Sequence, residues 1–177
     1  MQREIQGKDK CDTPHLTEEA VQRKFLAAFN ELLENRDFIL EDTKELMTRL
    51  TDTSRLEEEA ARLHNEMAGT SQSVRALIDR NARSGVEQGA YEREYQAMTE
   101  RFAELENRLK GIEAECDRRK IQRSAMTGFL KTLKTAQAPI ADFTSQLWNA
   151  LVERATVNAD GSMVFIFRNG VEIRQKA

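Results

Sequence analysis

Residues 56–81 read LEEEAARLHNEMAGTSQSVRALIDRN, and residues 91–116 read YEREYQAMTERFAELENRLKGIEAEC. In both segments the residues at alternating steps of four and three are mostly apolar, which is the a/d pattern of a coiled coil. When the segments are numbered toward each other, the two positions of every facing pair add to the same value, from Leu56 with Cys116 to Asn81 with Tyr91. Each a position therefore faces a d position if the two helices run antiparallel.

The centre of this mirrored pattern lies near residue 86, where Ser84, Gly85 and Gly89 favour a turn. The sequence thus predicts a helical hairpin, an arm on the order of 40 Å long. The same stripes could pair between two chains, but a long continuous helix disfavours glycines at its centre.

The flanking segments predict a small body that is built from both ends of the chain. Residues 17–53 carry apolar residues at helical spacing and predict one long body helix. Residues 121–177 predict return helices and a three-stranded antiparallel meander, because Asp160-Gly161 and Asn169-Gly170 separate short apolar runs. A three-stranded sheet needs a cover, and we expect the helices of Phe25 and Trp148 to provide it.

The predicted fold class is mainly α with a small β meander, in which a long antiparallel coiled-coil hairpin is inserted in a small α+β body. The predicted divisions are residues 1–16, 17–53, 54–120 for the arm with its tip near 84–89, and 121–177. No apolar run is long enough to span a membrane, and the N-terminus lacks a signal-peptide pattern. Two cysteines do not form a disulfide framework, so we expect a cytoplasmic protein.

Charge is unevenly distributed along the chain. Residues 54–116 carry nine Lys/Arg and thirteen Asp/Glu, whereas residues 117–152 carry six and two. The candidate DNA-binding residues in the second region are Arg118, Arg119, Lys120 and Arg123. A solvated helix face accounts equally well for that basic run, and the acidic arm favours a protein partner.

Few residues are candidates for chemistry. Cys116 occupies an a position and is expected to pack as a small hydrophobe, while His64 is expected to be solvated. Cys11 and His15 form a C-x3-H pair, which is an incomplete zinc site because zinc needs four ligands. No set of catalytic residues is evident, so the sequence predicts neither an enzyme nor a cofactor for this chain.

The order of the segments resembles the C-terminal region of large serine recombinases, the site-specific integrases and transposon resolvases of mobile elements. The resemblance lies in residues 11–16, CDTPHL, in the helix around Phe25, in the arm, in the short helix 143–148, and in the strands within 155–173. Cys11 would match the last of four zinc-ribbon cysteines, the other three of which have no counterpart here. Zinc would then be expected in the full-length parent.

The resemblance implies a non-catalytic region, because the serine catalytic domain has no counterpart in this chain. It implies binding to an attachment-site DNA, contact between the arm and another recombinase subunit, and a possible directionality factor as partner. The expected contact residues at the arm tip are Val86, Gln88, Ala90 and Tyr91. The alternative is a structural coiled-coil protein that oligomerises without a nucleic-acid role.

Overall fold

The computed structural model describes residues 14–84 and 87–177. Its helices and strands, in chain order, are α1 (Glu18–Glu34), α2 (Arg36–Leu50), α3 (Ser54–Ser84), α4 (Gln88–Thr135), α5 (Ser145–Leu151), β1 (Val152–Val157), β2 (Met163–Phe167) and β3 (Glu172–Gln175). The predicted fold class is confirmed, since the chain is mainly helical and has a helical hairpin and a three-stranded antiparallel sheet.

The chain divides into two compact units. One unit comprises the described residues up to 47 together with residues 124–177, and we call it the body. The other comprises residues 48–123, and we call it the arm. Cys11 and Val86 lie outside the described residues.

The single long helix that the sequence predicts over 17–53 is interrupted. At Asn35 the backbone leaves the helical region (φ −108°, ψ 25°), and its N–H donates to Leu32 and Leu33 carbonyls. Arg36 opens α2 and donates a 2.7 Å hydrogen bond to the Ala136 carbonyl oxygen. Asparagine is a weak helix former, and α2 begins at the next residue.

The start of α1 follows local chemistry closely. The Thr17 hydroxyl accepts a 3.2 Å hydrogen bond from the Ala20 N–H, and Glu18 and Glu19 occupy the positive end of the helix dipole. The buried face of this helix includes Phe25 and Phe29, both fully buried.

The sheet has the order β1-β2-β3, with antiparallel pairing at both contacts. Gly161 and Gly170 adopt positive φ angles of 78° and 87° in the connecting turns, a conformation that glycine tolerates. The inward residues of β2, including Phe165, are buried. The sheet therefore presents one apolar face to the rest of the body.

An aromatic cluster joins α1, α5 and the sheet. The Phe25 ring centroid lies 5.2 Å from Trp148, 5.7 Å from Phe143 and 6.2 Å from Phe165. Trp148 also contacts Phe165 edge-on, with centroids 5.9 Å apart. The expected cover of the sheet by the helices of Phe25 and Trp148 is thus observed, and burial of the Phe25 and Phe165 rings, both fully buried, contributes about 1.5–3 kcal/mol each.

The arm has a buried seam between α3 and α4. Its buried core comprises Leu63, Leu105, Leu109, Ile112 and Cys116. Ion pairs cross between the helices beside this seam, including Arg101 with Glu66 at 2.9 Å and Arg108 with Glu59. The helices α3 and α4 pair with each other within one chain. The predicted helical hairpin is therefore observed.

Candidate interaction surfaces

The part of the arm near the hairpin turn exposes apolar and aromatic side chains. The Tyr91 and Tyr95 rings are stacked, with centroids 6.0 Å apart and an interplanar angle of 21°. Tyr95 is 42% exposed and Ile78 is 45% exposed, although Tyr95 belongs to the a/d stripe. Rigid aromatic side chains of this kind are common in protein contacts.

The predicted tip residues have different surroundings. Gln88 is exposed, and its side-chain amide donates to Glu92 at 2.8 Å. Ala90 is half-buried, and its N–H donates to the Glu87 carboxylate at 2.8 Å, so this residue belongs to the start of α4. Tyr91 takes part in the stack described above.

The heptad pattern does not predict that Ile78 and Tyr95 are surface residues. The spacing of Tyr95 fits the a/d stripe and therefore predicts that it lies in the seam. Ile78 was overlooked because it directly follows the buried Leu77. An isoleucine immediately after a seam residue, in a position that faces outward, is a signal that could have been recognised.

The basic run on α4 is largely engaged within the arm. Arg118 donates two hydrogen bonds to Glu115, at 2.7 and 2.8 Å, and Arg119 Nε donates a third at 2.7 Å. Arg123 donates to the Thr51 hydroxyl at 3.2 Å. Lys120 is exposed and forms no hydrogen bond or ion pair with the described residues.

These contacts change the electrostatics of Glu115. The hydrogen bonds from Arg118, and then from Arg119, lower the pKa of the Glu115 carboxyl from its ordinary 4.5 to about 2. The carboxylate stays ionised near neutral pH and offsets part of the positive charge of the run. The charge presented to a phosphate is therefore smaller than the sequence suggests.

Arg119 also joins α4 to the residues before α3. One of its terminal nitrogens donates to the backbone carbonyl oxygen of Asp52, and this arginine side chain is 29% exposed. The Asp52 carboxylate accepts hydrogen bonds from the N–H and hydroxyl of Ser54, at 3.0 and 2.6 Å. These bonds lower the pKa of Asp52 and fix the start of α3.

Cys116, His15 and His64 are candidates for chemistry, and each lies either in the apolar seam or at the surface. Cys116 is 7% exposed within the seam, and His15 and His64 are exposed. Within residues 14–84 and 87–177, no group of three or more His, Cys, Asp or Glu side chains is arranged to hold a metal ion. No helix in the described part of the chain combines the length and apolar character needed to cross a membrane.

Comparisons with known proteins do not assign a family. No family model, curated protein sequence or solved structure matches the chain.

Proposed function

We propose that this chain is the non-catalytic C-terminal region of a serine site-specific DNA recombinase of a mobile element, acting in the cytoplasm. In this proposal the body and the base of the arm contribute to binding of the attachment-site DNA. The arm contacts another recombinase subunit during synapsis, and a directionality factor regulates that contact. Zinc belongs to the full-length parent, and Cys11 would be one ligand of that ribbon.

The subunit-contact part is supported by the stack of half-buried Tyr91 on exposed Tyr95, together with exposed Ile78. These side chains are apolar or amphipathic in an otherwise charged surface. Contact with a protein removes that apolar area from water, which favours association.

The DNA-binding part is supported by Lys120 and Arg118. Lys120 is exposed, and the Arg118 side chain is 63% exposed despite its bonds to Glu115. A surface ion pair of this kind contributes little free energy. A DNA phosphate can therefore compete with Glu115 for the arginine at modest cost.

The second candidate function is a structural coiled-coil protein without a nucleic-acid role. Its supporting observation is that Glu115 accepts hydrogen bonds from two of the four candidate cations. In that account the basic run is a solvated face of α4, and the arm serves only to oligomerise the protein.

Salt-dependent binding of duplex DNA distinguishes the two candidates. We expect binding of a fluorescent 30-base-pair duplex whose affinity falls steeply with salt, because phosphate contacts release counterions. Lys120→Ala should lower the affinity and reduce the magnitude of the log–log slope by about one. The matched control is Lys110→Ala, since Lys110 is an exposed lysine of the same helix that pairs with Glu106 at 3.1 Å.

Equal slopes for Lys120→Ala and Lys110→Ala would contradict a phosphate contact at Lys120. Absence of salt-sensitive binding in the wild type would favour the structural candidate.

A further inference from the structure

The body contains a groove that neither proposed function uses. It has a volume of about 370 Å³ and lies between α1 and α5. Its lining residues are Glu18, Val21 and Gln22 from α1, Ser145, Trp148 and Asn149 from α5, and Phe143 from the segment before α5. On both helices the spacing is i, i+3 and i+4, so each helix presents one continuous face to the groove.

The apolar part of the groove is held rigidly. Trp148 and Phe143 line it and are half-buried, and their rings contact each other with centroids 6.2 Å apart. Both rings also pack against the fully buried Phe25. The groove is therefore supported by the aromatic core, and a ligand would bind it without first ordering the aromatic side chains.

The polar part of the groove carries the negative charge of Glu18, which lies at the positive end of the α1 dipole and pairs with no side-chain cation among the described residues. Glu18 is exposed, accepts a 3.0 Å hydrogen bond from the Gln22 amide, and forms no ion pair with the described residues. The nearby cation Arg168 donates to the Asn149 carbonyl oxygen at 3.0 Å, but Glu153 balances its charge at 3.2 Å. A cationic ligand therefore complements the groove, and an anionic ligand does not.

We propose that this groove binds an arginine side chain from a partner protein. The aliphatic stem of arginine would cover Val21, and its planar guanidinium can stack on an aromatic ring while pairing with the Glu18 carboxylate. The amide oxygens of Gln22 and Asn149 offer further acceptors for guanidinium N–H groups. Arginine satisfies the apolar, aromatic and acidic parts of the groove with one side chain.

Trp148 is the single tryptophan of the chain and lines the groove, so its indole N–H gives one readily assigned signal from the groove lining. The probe is the peptide acetyl-Gly-Arg-Gly-amide, titrated into the ¹⁵N-labelled protein and followed by NMR. The control peptide replaces arginine with citrulline, which has nearly the same shape and no charge. We expect a saturable shift with the arginine peptide and at least about fivefold weaker binding of the citrulline peptide.

Two variants of the first turn of α1 test the role of the carboxylate. Glu18→Gln should lower the affinity for the arginine peptide by at least about fivefold. Glu19→Gln removes a carboxylate from the same turn outside the groove lining and should leave the affinity within about twofold. Circular dichroism checks that both variants keep the helical content of the wild type.

Equal binding of the two peptides, or equal loss in the two variants, would overturn the proposal. An acetyl-Gly-norleucine-Gly-amide peptide that binds as tightly as the arginine peptide would also overturn it, because the groove would then select only apolar bulk.

Discussion

Arg119 donates a hydrogen bond to the backbone carbonyl oxygen of Asp52, a residue 67 positions earlier in the chain. Its Nε atom simultaneously donates to Glu115 at 2.7 Å. The Arg119 side chain thus donates hydrogen bonds both to a backbone carbonyl oxygen just before α3 and to a carboxylate on its own helix.

The first prediction concerns this contact. Arg119→Ala should destabilise the arm by about 1 kcal/mol, because it leaves the Asp52 carbonyl without that donor. In a chain of this size the melting temperature should fall by about 2–4 °C. Thermal unfolding followed by circular dichroism measures the change.

Arg118→Ala serves as the control, because Arg118 is 63% exposed and its hydrogen bonds within the described part of the chain go to Glu115 on its own helix. It should shift the melting temperature by less than about 1 °C. Equal shifts for the two variants would mean that the Asp52 contact does not stabilise the arm.

A second prediction concerns pH. Arg118 and Arg119 lower the pKa of Glu115 in the folded state to about 2, from an ordinary 4.5. The folded state therefore binds this proton less readily than the unfolded state, so the stabilisation is complete above pH 4.5 and is lost as the pH falls toward 2. Glu115→Gln should remove this part of the acid sensitivity. An NMR titration that gives Glu115 a pKa near 4.5 would contradict the paired geometry.

The third prediction concerns the seam of the arm. Leu109→Ala should lower the free energy of unfolding by about 2–5 kcal/mol, because Leu109 is 6% exposed and its truncation leaves a cavity. Ile121→Ala, on the same helix at 71% exposure, should change it by less than about 0.5 kcal/mol. Urea unfolding measures the free energy of unfolding of both variants. Similar losses of stability in the two would show that Leu109 is not in a packed seam.

A fourth prediction concerns a buried polar pair of the body. The Asn169 amide donates to the hydroxyl of Thr43 at 3.0 Å, and both residues are buried. Thr43→Val keeps the side-chain shape but leaves that amide N–H unsatisfied, which should cost about 1–3 kcal/mol. Thr99→Val, at an exposed position of α4, is the control for urea unfolding. A cost no larger than that of the control would mean that another acceptor satisfies Asn169.

The sequence predicts the hairpin and the meander well because both depend on local, repeated signals. The a/d spacing places Leu63 and Leu109 in one seam, and the Asp-Gly and Asn-Gly pairs define the turns. The helical pattern is weakest near residues 35–37, but it does not place the break at Asn35, because the bond between Arg36 and Ala136 joins residues 100 positions apart. No local pattern records such a contact.

The contacts of the surface residues also separate into those that local spacing predicts and those that depend on tertiary packing. The pairing of Glu115 with Arg118 and Arg119 could have been predicted, since these residues are spaced i, i+3 and i+4 on a helix. The hydrogen bond from Arg119 to the Asp52 carbonyl oxygen could not have been predicted, because it depends on how the residues before α3 pack against α4. The groove between α1 and α5 likewise arises from tertiary packing.

We propose that the arm binds a second copy of the chain through the residues near its turn. Sedimentation equilibrium of the wild type and of Tyr95→Ser tests it most directly, because Tyr95 is exposed and its loss leaves the lower seam intact. We expect the apparent mass of the wild type to rise from 20.3 kDa toward twice that value with increasing concentration, and that of Tyr95→Ser to stay near 20.3 kDa. A wild type that remains monomeric at every concentration, or a variant that associates equally well, would contradict it.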